Sequence, residues 1–341
     1  MQKPNSEAQL AWIKTQLGLN TAEVQLDALA GDASLRRYYR IYANGGSCIF
    51  ADASAEAGVT HTFAYCATIF ANAGARVPHL LGWDDALGYS LQEDVGDQQL
   101  LPLLDFESVD QYYREAMQIL VRVAGADTGA IKLPAYDAKR LQTELDVCDE
   151  WFVHKLLGIS PSQEFRRAKQ ALDKTLVASA AAQAPVLVHR DFHSRNLMVM
   201  NAELVAIDFQ DAVIGPVTYD LVSLLKDCYC TWPRAQVVAW VEAFYGMLDE
   251  HLKPATVSAF LRDFDLMGLQ RHIKVLGVFA RLYLRDGKPG YLPDLPRVIA
   301  YVEEALALYC ESEPSLAEFR GLWAEQIRPV FEQCDWYKTC E

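Results

Sequence analysis

One stretch, residues 186 to 220, constrains this chain more than any other. An apolar run at Val186–Val188 predicts a short buried strand, and the polar loop His189–Asn196 follows it. Two more apolar runs, Leu197–Met200 and Leu204–Ile207, predict the strands of a hairpin. The stretch is therefore expected to place a polar loop directly before a two-stranded ribbon.

Three polar side chains are expected to meet at one end of that ribbon. Asn196 enters the first strand and Asp208 leaves the second, so a hairpin sets them side by side. Asp191, on the preceding loop, can face the same space. A carboxylate, an amide oxygen and a second carboxylate suit Mg²⁺ beside a general base. The alternative for such residues, taken singly, is a polar surface turn.

The order and spacing of these residues resemble the catalytic loop and metal-binding Asp of kinases. The chain resembles in particular the aminoglycoside phosphotransferase and choline kinase group of small-molecule kinases. The resemblance is carried by His189-Arg190-Asp191 with Asn196, by Ile207-Asp208-Phe209, and by Asp220-Leu221-Val222. It implies an α+β, bilobal protein-kinase-like fold, with a small antiparallel-sheet N-lobe and a larger, mostly helical C-lobe. It also implies that His189 and Asp220 brace the catalytic loop.

The same resemblance predicts the division of the chain. Residues 1–96 are expected to form the nucleotide-covering N-lobe, a sheet with one main helix. Residues 97–341 are expected to form the C-lobe, with the catalytic loop 189–196 and the acceptor site. Residues 92–96 are the expected hinge, where main-chain groups of Glu93 and Val95 would hold the adenine of ATP.

The phosphate-binding part departs from the usual kinase pattern. Residues 31–38 occupy the position of a phosphate-covering loop without a G-x-G-x-x-G sequence. Cys48–Asp52 occupies the third-strand position, where kinases keep a Lys, and contains none. Arg36 and Arg37 are the candidates to replace it, because a guanidinium binds phosphate through two parallel donors. The alternative is that both are solvated strand residues.

Candidates for acceptor binding are less constrained by the sequence. Glu144 and Trp151 lie on a predicted helix, residues 138–157, that walls the acceptor groove in the kinase group this chain resembles. Arg271, on a long apolar helix, is a candidate for a substrate carboxylate, and His193 lies within the catalytic loop. A solvated acid, a core aromatic, a surface charge and a loop support are the respective alternatives.

Composition excludes several classes of function. The chain has 341 residues, is 51% hydrophobic and carries a net charge of −14. Both predicted lobes are acidic, which argues against a nucleic-acid partner. The first residues have no apolar signal core, and no apolar run approaches a membrane-spanning length. The eight Cys include no C-x-x-C pair, so reduced thiols in a cytoplasmic enzyme are expected. A monomer is favoured as its oligomeric state.

Further segments resemble a narrower family, the bacterial N-acetylmuramate/N-acetylglucosamine anomeric kinases of peptidoglycan recycling. They are residues 32–38, 93–96, 189–196, 210–216 and 269–297. The resemblance implies a magnesium-assisted transfer of phosphate from ATP to the C1 hydroxyl of the amino sugar. Two other possibilities stay open on the residues: a kinase of another small alcohol, such as an aminoglycoside, choline or homoserine, and a nucleotide-binding pseudokinase.

Overall fold

The computed structural model describes residues 7–19, 24–29, 36–43, 45–56 and 58–337. The chain divides into two compact units. The sheet unit comprises Met1–Ser108 and Arg195–Ala212, and the helical unit comprises Val109–Ser194 and Val213–Glu341. Residues 195–212 thus group with the first part of the chain, although they lie far along the sequence. The predicted division into lobes at residue 96 stays a prediction.

The sheet unit contains, within its described residues, a five-stranded antiparallel sheet in the order β1-β2-β3-β5-β4. Its strands are β1 (Gln25–Ala28), β2 (Arg37–Ala43), β3 (Gly46–Asp52), β4 (Leu80–Asp84) and β5 (Tyr89–Glu93). Its helices are α1 (Glu7–Leu17) and α2 (Val59–Asn72), with a 3₁₀ turn at Leu101–Leu103. The small antiparallel sheet predicted for this part of the chain is present.

Alternating side chains give this sheet one buried face. Tyr39 and Ile41 of β2 pack with Cys48 and Phe50 of β3, and Ile13 of α1 covers them. Side chains two residues apart point to the same face of a strand, so this spacing is what a half-buried strand requires.

The predicted hairpin is present in the same unit. Strand β7 (Leu197–Met200) pairs antiparallel with β8 (Glu203–Ala206). Asn201 and Ala202, which link them, have φ values of 52° and 62°. Two successive residues of positive φ are the signature of the tight hairpin turn that matches the twist of the strands.

The helical unit carries long helices around a large apolar core. Its elements are α3 (Val109–Ala124), α4 (Ala138–Val147), α5 (Gln163–Ala182), α6 (Tyr219–Leu225), α7 (Arg234–Met247), α8 (Val257–Leu284), α9 (Leu295–Tyr309), α10 (Pro314–Leu322) and α11 (Arg328–Phe331). Two π-helical segments, Cys148–Leu156 and Trp323–Ile327, continue α4 and α10. Strand β6 (Pro185–Val188) pairs antiparallel with β9 (Val213–Pro216). Further 3₁₀ turns lie at Thr128–Ala130, Glu250–Leu252 and Pro289–Asp294.

One helix of this unit departs from the sequence prediction. Helix α8 begins at Val257, where the side chain of Thr256 accepts from the amide of Ala259. Helix α6 ends at Leu225, and Asp227 after it binds the catalytic loop, as described below. The helix predicted over 138–157 changes to π geometry at Cys148.

Close contact between α8 and the end of α4 depends on Gly277. A Cβ atom at this position would lie 2.5 Å from the backbone of Val147 and of Cys148. No side chain fits in that space, so only glycine permits this helix spacing. Gly277 lies three residues after Lys274, and Val147 three residues after Glu144, so the same contact brings those two side chains near each other.

None of the helices in the described part of the chain is long and apolar enough to cross a membrane.

Candidate active site

The predicted site residues are divided between the two units. The sheet unit holds the residues predicted to bind nucleotide and metal: Arg36, Arg37, Glu93, Val95, Asn196 and Asp208. The helical unit holds the residues predicted to act on the acceptor or to shape the loop: Glu144, Trp151, His189, Asp191, His193, Asp220 and Arg271. The convergence of Asp191 with Asn196 and Asp208 stays a prediction.

The first half of the catalytic loop is held by Asp220. Strand β6 ends at Val188, and the amides of His189 and Arg190 donate to the two carboxylate oxygens of Asp220, at 2.6 and 2.9 Å. Asp220 lies in the first turn of α6. Arg190 has a φ of 77°, a conformation that costs energy in a non-glycine residue and persists only where the surroundings impose it. These two hydrogen bonds contribute to that constraint.

The second half of the loop is held by Asp227, which the sequence reasoning missed. The amide and hydroxyl of Ser194 both donate to Asp227 Oδ2, at 2.9 and 2.5 Å, and the amide of Tyr229 donates to Oδ1 at 3.0 Å. Asp227 is 1% exposed. A buried Asp directly after an apolar helix was the available signal, but its partner lies 33 residues away.

Asp191 lies among cations. Burial alone would raise the pKa of Asp191, but the charges of Lys274, His193, Arg190 and Arg271 outweigh burial and lower the pKa below its usual value. The amide of Asp191 donates to Nδ1 of His189 at 3.3 Å. A carboxylate that stays ionised at neutral pH is available to accept a proton.

Asn196 and Asp208 lie side by side at one end of the β7–β8 ribbon. The amide of Ile207 donates to the carbonyl of Asn196 at 3.0 Å, and Asn196 Nδ2 lies 3.5 Å from Asp208 Oδ2. Asp208 has a φ of 66° and a side chain that is 44% exposed. The ring of the next residue, Phe209, stacks on Phe63 at 4.9 Å and is fully buried. The buried ring of Phe209 thus anchors the backbone next to the exposed Asp208.

Gln210 adds a support for Asp208 that the sequence reasoning did not identify. Its Nε2 donates to Asp208 Oδ1 at 2.8 Å. Gln210 stands where protein kinases have the glycine of D-F-G, so the departure from that motif supplies a side-chain donor to the acid.

Arg36 and Arg37 differ in their surroundings. Arg36 is 11% exposed, and its guanidinium lies 4.0 Å from Asp208 Oδ1 and 3.8 Å from Glu56 Oε2. The side chain of Arg37 is exposed, at the start of β2 opposite Asp52. Arg36 is therefore the better candidate for phosphate, and residues 31–35 of the predicted covering loop lie outside the described residues.

Residues 92–97 are fixed to the sheet by Arg40 of β2. Its guanidinium donates to both oxygens of Asp94, at 2.7 and 3.1 Å, and to both oxygens of Asp97, at 3.0 and 2.7 Å. Val95 is buried against Met198 and Val205. The segment predicted to hold adenine is thus held by charged hydrogen bonds and has an apolar surface beside it.

The candidates for acceptor binding are each engaged by other residues of the helical unit. Arg271 is 4% exposed and directs Nη1 at Cys228 Sγ, 3.5 Å away. Trp151 lies beneath Lys155, whose Nζ is 3.5 Å from the ring centroid. The ring of His193 packs edge-on against Tyr229 at 5.3 Å. The contacts of Glu144 are described below. Substrate contacts of these residues stay predictions.

The donor set at Asn196 and Asp208 fits Mg²⁺. Among the residues that the structure describes, no group of three or more His, Cys, Asp or Glu side chains could hold a metal ion. Mg²⁺ in phosphate-transferring sites is usually held by one or two carboxylates together with substrate phosphates and water. One exposed carboxylate and one neighbouring amide match that arrangement, and Arg36 beside them suits the phosphates.

Comparison with known proteins decides the family. The model of the phosphotransferase enzyme family matches residues 25–256, which is more than half of the chain. This chain belongs to the phosphotransferase enzyme family. A phosphotransferase is an enzyme that transfers a phosphate group, and this one is a kinase. It contains the loop, the acid–amide pair and the arginine described above.

Relatives of this phosphotransferase are similar over almost its whole length. N-acetylmuramate/N-acetylglucosamine kinase of Pseudomonas putida is 38% identical over 302 residues, which cover 88% of each chain. The kinase of the same name from Pseudomonas aeruginosa is 37% identical, again over 88% of each chain. That of Neisseria meningitidis is 35% identical over 86% of this chain and 90% of its own.

Solved structures establish the fold of this phosphotransferase. An ADP-bound aminoglycoside phosphotransferase has a TM-score of 0.59 and 11% identity, covering 88% of this chain and 98% of its own. A choline/ethanolamine kinase family protein of Mesorhizobium loti has a TM-score of 0.61 and 14% identity, covering 92% and 99%. The predicted α+β, protein-kinase-like fold is confirmed.

Proposed function

We propose that this enzyme transfers the γ-phosphoryl group of ATP to the anomeric C1 hydroxyl of N-acetylmuramate and N-acetylglucosamine, giving the α-1-phosphate. The observation that carries the proposal is the similarity, over almost the whole chain, to kinases named for these two sugars. The reaction belongs to the recycling of peptidoglycan. The cytoplasmic location and the monomeric state of the enzyme are part of the same proposal.

The residues of the helical unit supply the acid–base step. Asp191 accepts the proton of the C1 hydroxyl as the sugar oxygen attacks phosphorus, and the O–P bond to ADP breaks. A carboxylate of lowered pKa is ionised at neutral pH and can accept that proton. Asp220 and Asp227 hold the loop so that Asp191 keeps one orientation.

The residues of the sheet unit supply charge and position. Asn196 and Asp208 would hold Mg²⁺, which would neutralise charge on the phosphates. Arg36 adds a second cation, in place of the Lys that β3 lacks, and Arg37 adds long-range charge. The main chain of Glu93 and Val95 holds adenine. Catalysis then arises mainly from positioning and from electrostatic stabilisation of the transferring group.

The products identify the reaction. The purified enzyme is incubated with Mg-ATP and N-acetylmuramate, N-acetylglucosamine, choline, homoserine or an aminoglycoside, and each mixture is followed by ³¹P NMR. We expect a new sugar 1-phosphate resonance with either amino sugar. Transfer only to one of the other alcohols would replace the proposed substrate, and Mg-ATP binding without transfer to any acceptor would indicate a pseudokinase.

Asp191→Ala tests the proposed base. We expect kcat to fall by about 10²- to 10⁴-fold, the usual contribution of a general base, while the Kd for Mg-ATP changes little. Asp146→Ala, which removes an exposed acid of α4, is the matched control and should keep its activity. Turnover of Asp191→Ala within a few-fold of the parent enzyme would show that another group accepts the proton.

A further inference from the structure

A second ion-pair network lies beside the catalytic loop in the helical unit. Glu144 Oε1 accepts from Arg190 Nη2 at 2.6 Å and lies 3.2 Å from Lys274 Nζ. Its other oxygen accepts the hydroxyl of Tyr136. Lys274 also donates to the hydroxyl of Tyr219 at 3.1 Å. One carboxylate thus joins the catalytic loop to α8, and it does so through a lysine and an arginine.

Burial and neighbouring aromatic rings restrict the positions of the side chains in this network. The side chains of Glu144, Lys274 and Arg190 are only 13%, 16% and 19% exposed. The rings of Tyr136 and Tyr219 meet edge-on at 5.1 Å next to them. Charges removed from water interact over short distances with little screening, and loss of one partner leaves a costly unpaired charge. The three side chains therefore have few alternative positions.

Lys274 is one of the cations that lower the pKa of Asp191. The other charged groups that face Asp191 are Arg271 on α8, Arg190 and His193 in the loop, and the carboxylate of Asp220 on α6. Among these cations, Lys274 and Arg190 are both tied to Glu144. The position of Glu144 therefore decides how two of the charges around Asp191 are arranged.

We propose that Lys274 and Glu144 are positioning residues of the transfer reaction: Glu144 binds both the ammonium of Lys274 and the guanidinium of Arg190, and this buried network holds the loop that carries Asp191. Glu144 then acts on the reaction through its contacts with Lys274 and Arg190. It does not need to contact the acceptor. The inference rests on the proposed function, because it assigns Asp191 the role of base.

The pKa of Asp191 supports this assignment. Burial would raise that pKa, and the opposing effect of Lys274 is the largest among the charges that lower it. Without that cation the pKa of Asp191 would be higher. Lys274 thus favours the ionised form that the reaction requires.

Lys274→Met is the decisive variant, because methionine keeps most of the side-chain volume without the charge. We expect kcat to fall by about tenfold or more, with a smaller change in the KM for the sugar. The acid limb of the kcat profile should move to higher pH, since removal of a positive charge raises the pKa of a neighbouring carboxylate. Lys274→Arg should return the limb toward its original pH.

Glu144→Gln separates anchoring from charge. It should lower kcat, because Lys274 and Arg190 lose their common partner, but it should not move the acid limb to higher pH. The matched control is Lys169→Met, which removes another buried lysine, paired with Asp173 on α5. That variant is expected to lose stability while keeping the pH profile of the parent enzyme.

The outcomes distinguish the inference from the proposed function. A parent enzyme that phosphorylates neither amino sugar would overturn the proposed function. An active parent enzyme whose Lys274→Met variant keeps both kcat and the acid limb would overturn the inference alone. Thermal unfolding shows whether each variant keeps its fold. If Lys274→Met is unfolded, Lys274→Arg decides the question. Restored kcat with an unshifted acid limb in Lys274→Arg supports the inference, and a folded but inactive Lys274→Arg contradicts it.

Discussion

Arg36 and Arg37 are adjacent in the sequence and differ in their environment. The sequence offers both as replacements for the Lys that β3 lacks, but Arg36 lies just before β2 and Arg37 is its first residue. The side chain of Arg36 is enclosed, with Glu56 and Asp208 near its guanidinium, whereas the side chain of Arg37 is exposed. The guanidinium of Arg36 therefore lies close to Asp208, beside which the phosphates would bind.

The two arginines provide a paired test at the residue scale. Arg36→Ala is expected to lower kcat/KM for Mg-ATP by about 10- to 100-fold, the loss of a charged hydrogen bond worth about 1.5–3 kcal/mol. Arg37→Ala should change it less than about fivefold, because an exposed charge is worth about 1 kcal/mol at most. Steady-state kinetics with varied Mg-ATP measures both, and a larger loss in Arg37→Ala would reverse the assignment.

In the helical unit, the close packing of two helices brings together side chains that are far apart in the sequence. Helices α4 and α8 come together where Gly277 meets the backbone of Val147 and Cys148, one turn from the Glu144–Lys274 pair. At that same point the α4 helix changes to π geometry, a change often found at functional positions. A glycine inside a long helix is otherwise unfavourable, so its presence reflects the close approach.

Two glycines of α8 provide the corresponding test at the element scale. Gly277→Ala is expected to destabilise the protein by about 1–3 kcal/mol, because a Cβ there overlaps backbone atoms that cannot yield. Gly268→Ala is the control on the same helix, where the nearest atom would be at 3.7 Å, and it should stabilise by up to about 1 kcal/mol. Urea unfolding measures both. Equal effects would show that helix propensity alone governs these positions.

The whole molecule buries several ionisable groups that the site does not use. Asp265 is fully buried and binds Arg234 through both oxygens, at 2.6 and 2.5 Å, with Lys226 3.2 Å away. His272, also buried, stacks on Tyr301 at 4.6 Å and donates to the carbonyl of Lys226 at 3.0 Å. Such groups make the stability of the fold depend on pH, since their protonation states differ between folded and unfolded chains.

His272 gives that dependence a direction. Burial, helped by the charge of Arg271, lowers the pKa of His272 to about 3. The unfolded chain therefore binds the proton more readily, and the stability that neutral His272 provides is lost as pH falls below the ordinary histidine pKa of about 6.5. His272→Gln, which keeps a donor for Lys226, should flatten the decrease in unfolding free energy between pH 7.5 and 5.

The control for this prediction is His251→Gln, which changes an exposed histidine of the same unit. Urea unfolding at several pH values measures the slope for the parent enzyme and both variants. A slope unchanged in His272→Gln, or changed equally in both variants, would assign the acid sensitivity to other groups.

The sequence by itself determined the features that depend on neighbours along the chain. The alternation in β2 and β3, the hairpin of β7 and β8, and the order of Asp191, Asn196 and Asp208 are local patterns with short-range physical causes. The fold and the family were predicted from the resemblance to kinases that the last of these patterns carries.

Only the tertiary structure decided the contacts that join distant segments. Asp227 lies 33 residues from Ser194, and Lys274 lies 130 residues from Glu144. The position of α8 that brings Glu144 and Lys274 together depends on the space around Gly277. The periodicity of apolar residues along the chain does not predict such an ion pair. The pair arises from how whole helices pack and from the cost of leaving a buried charge without a partner.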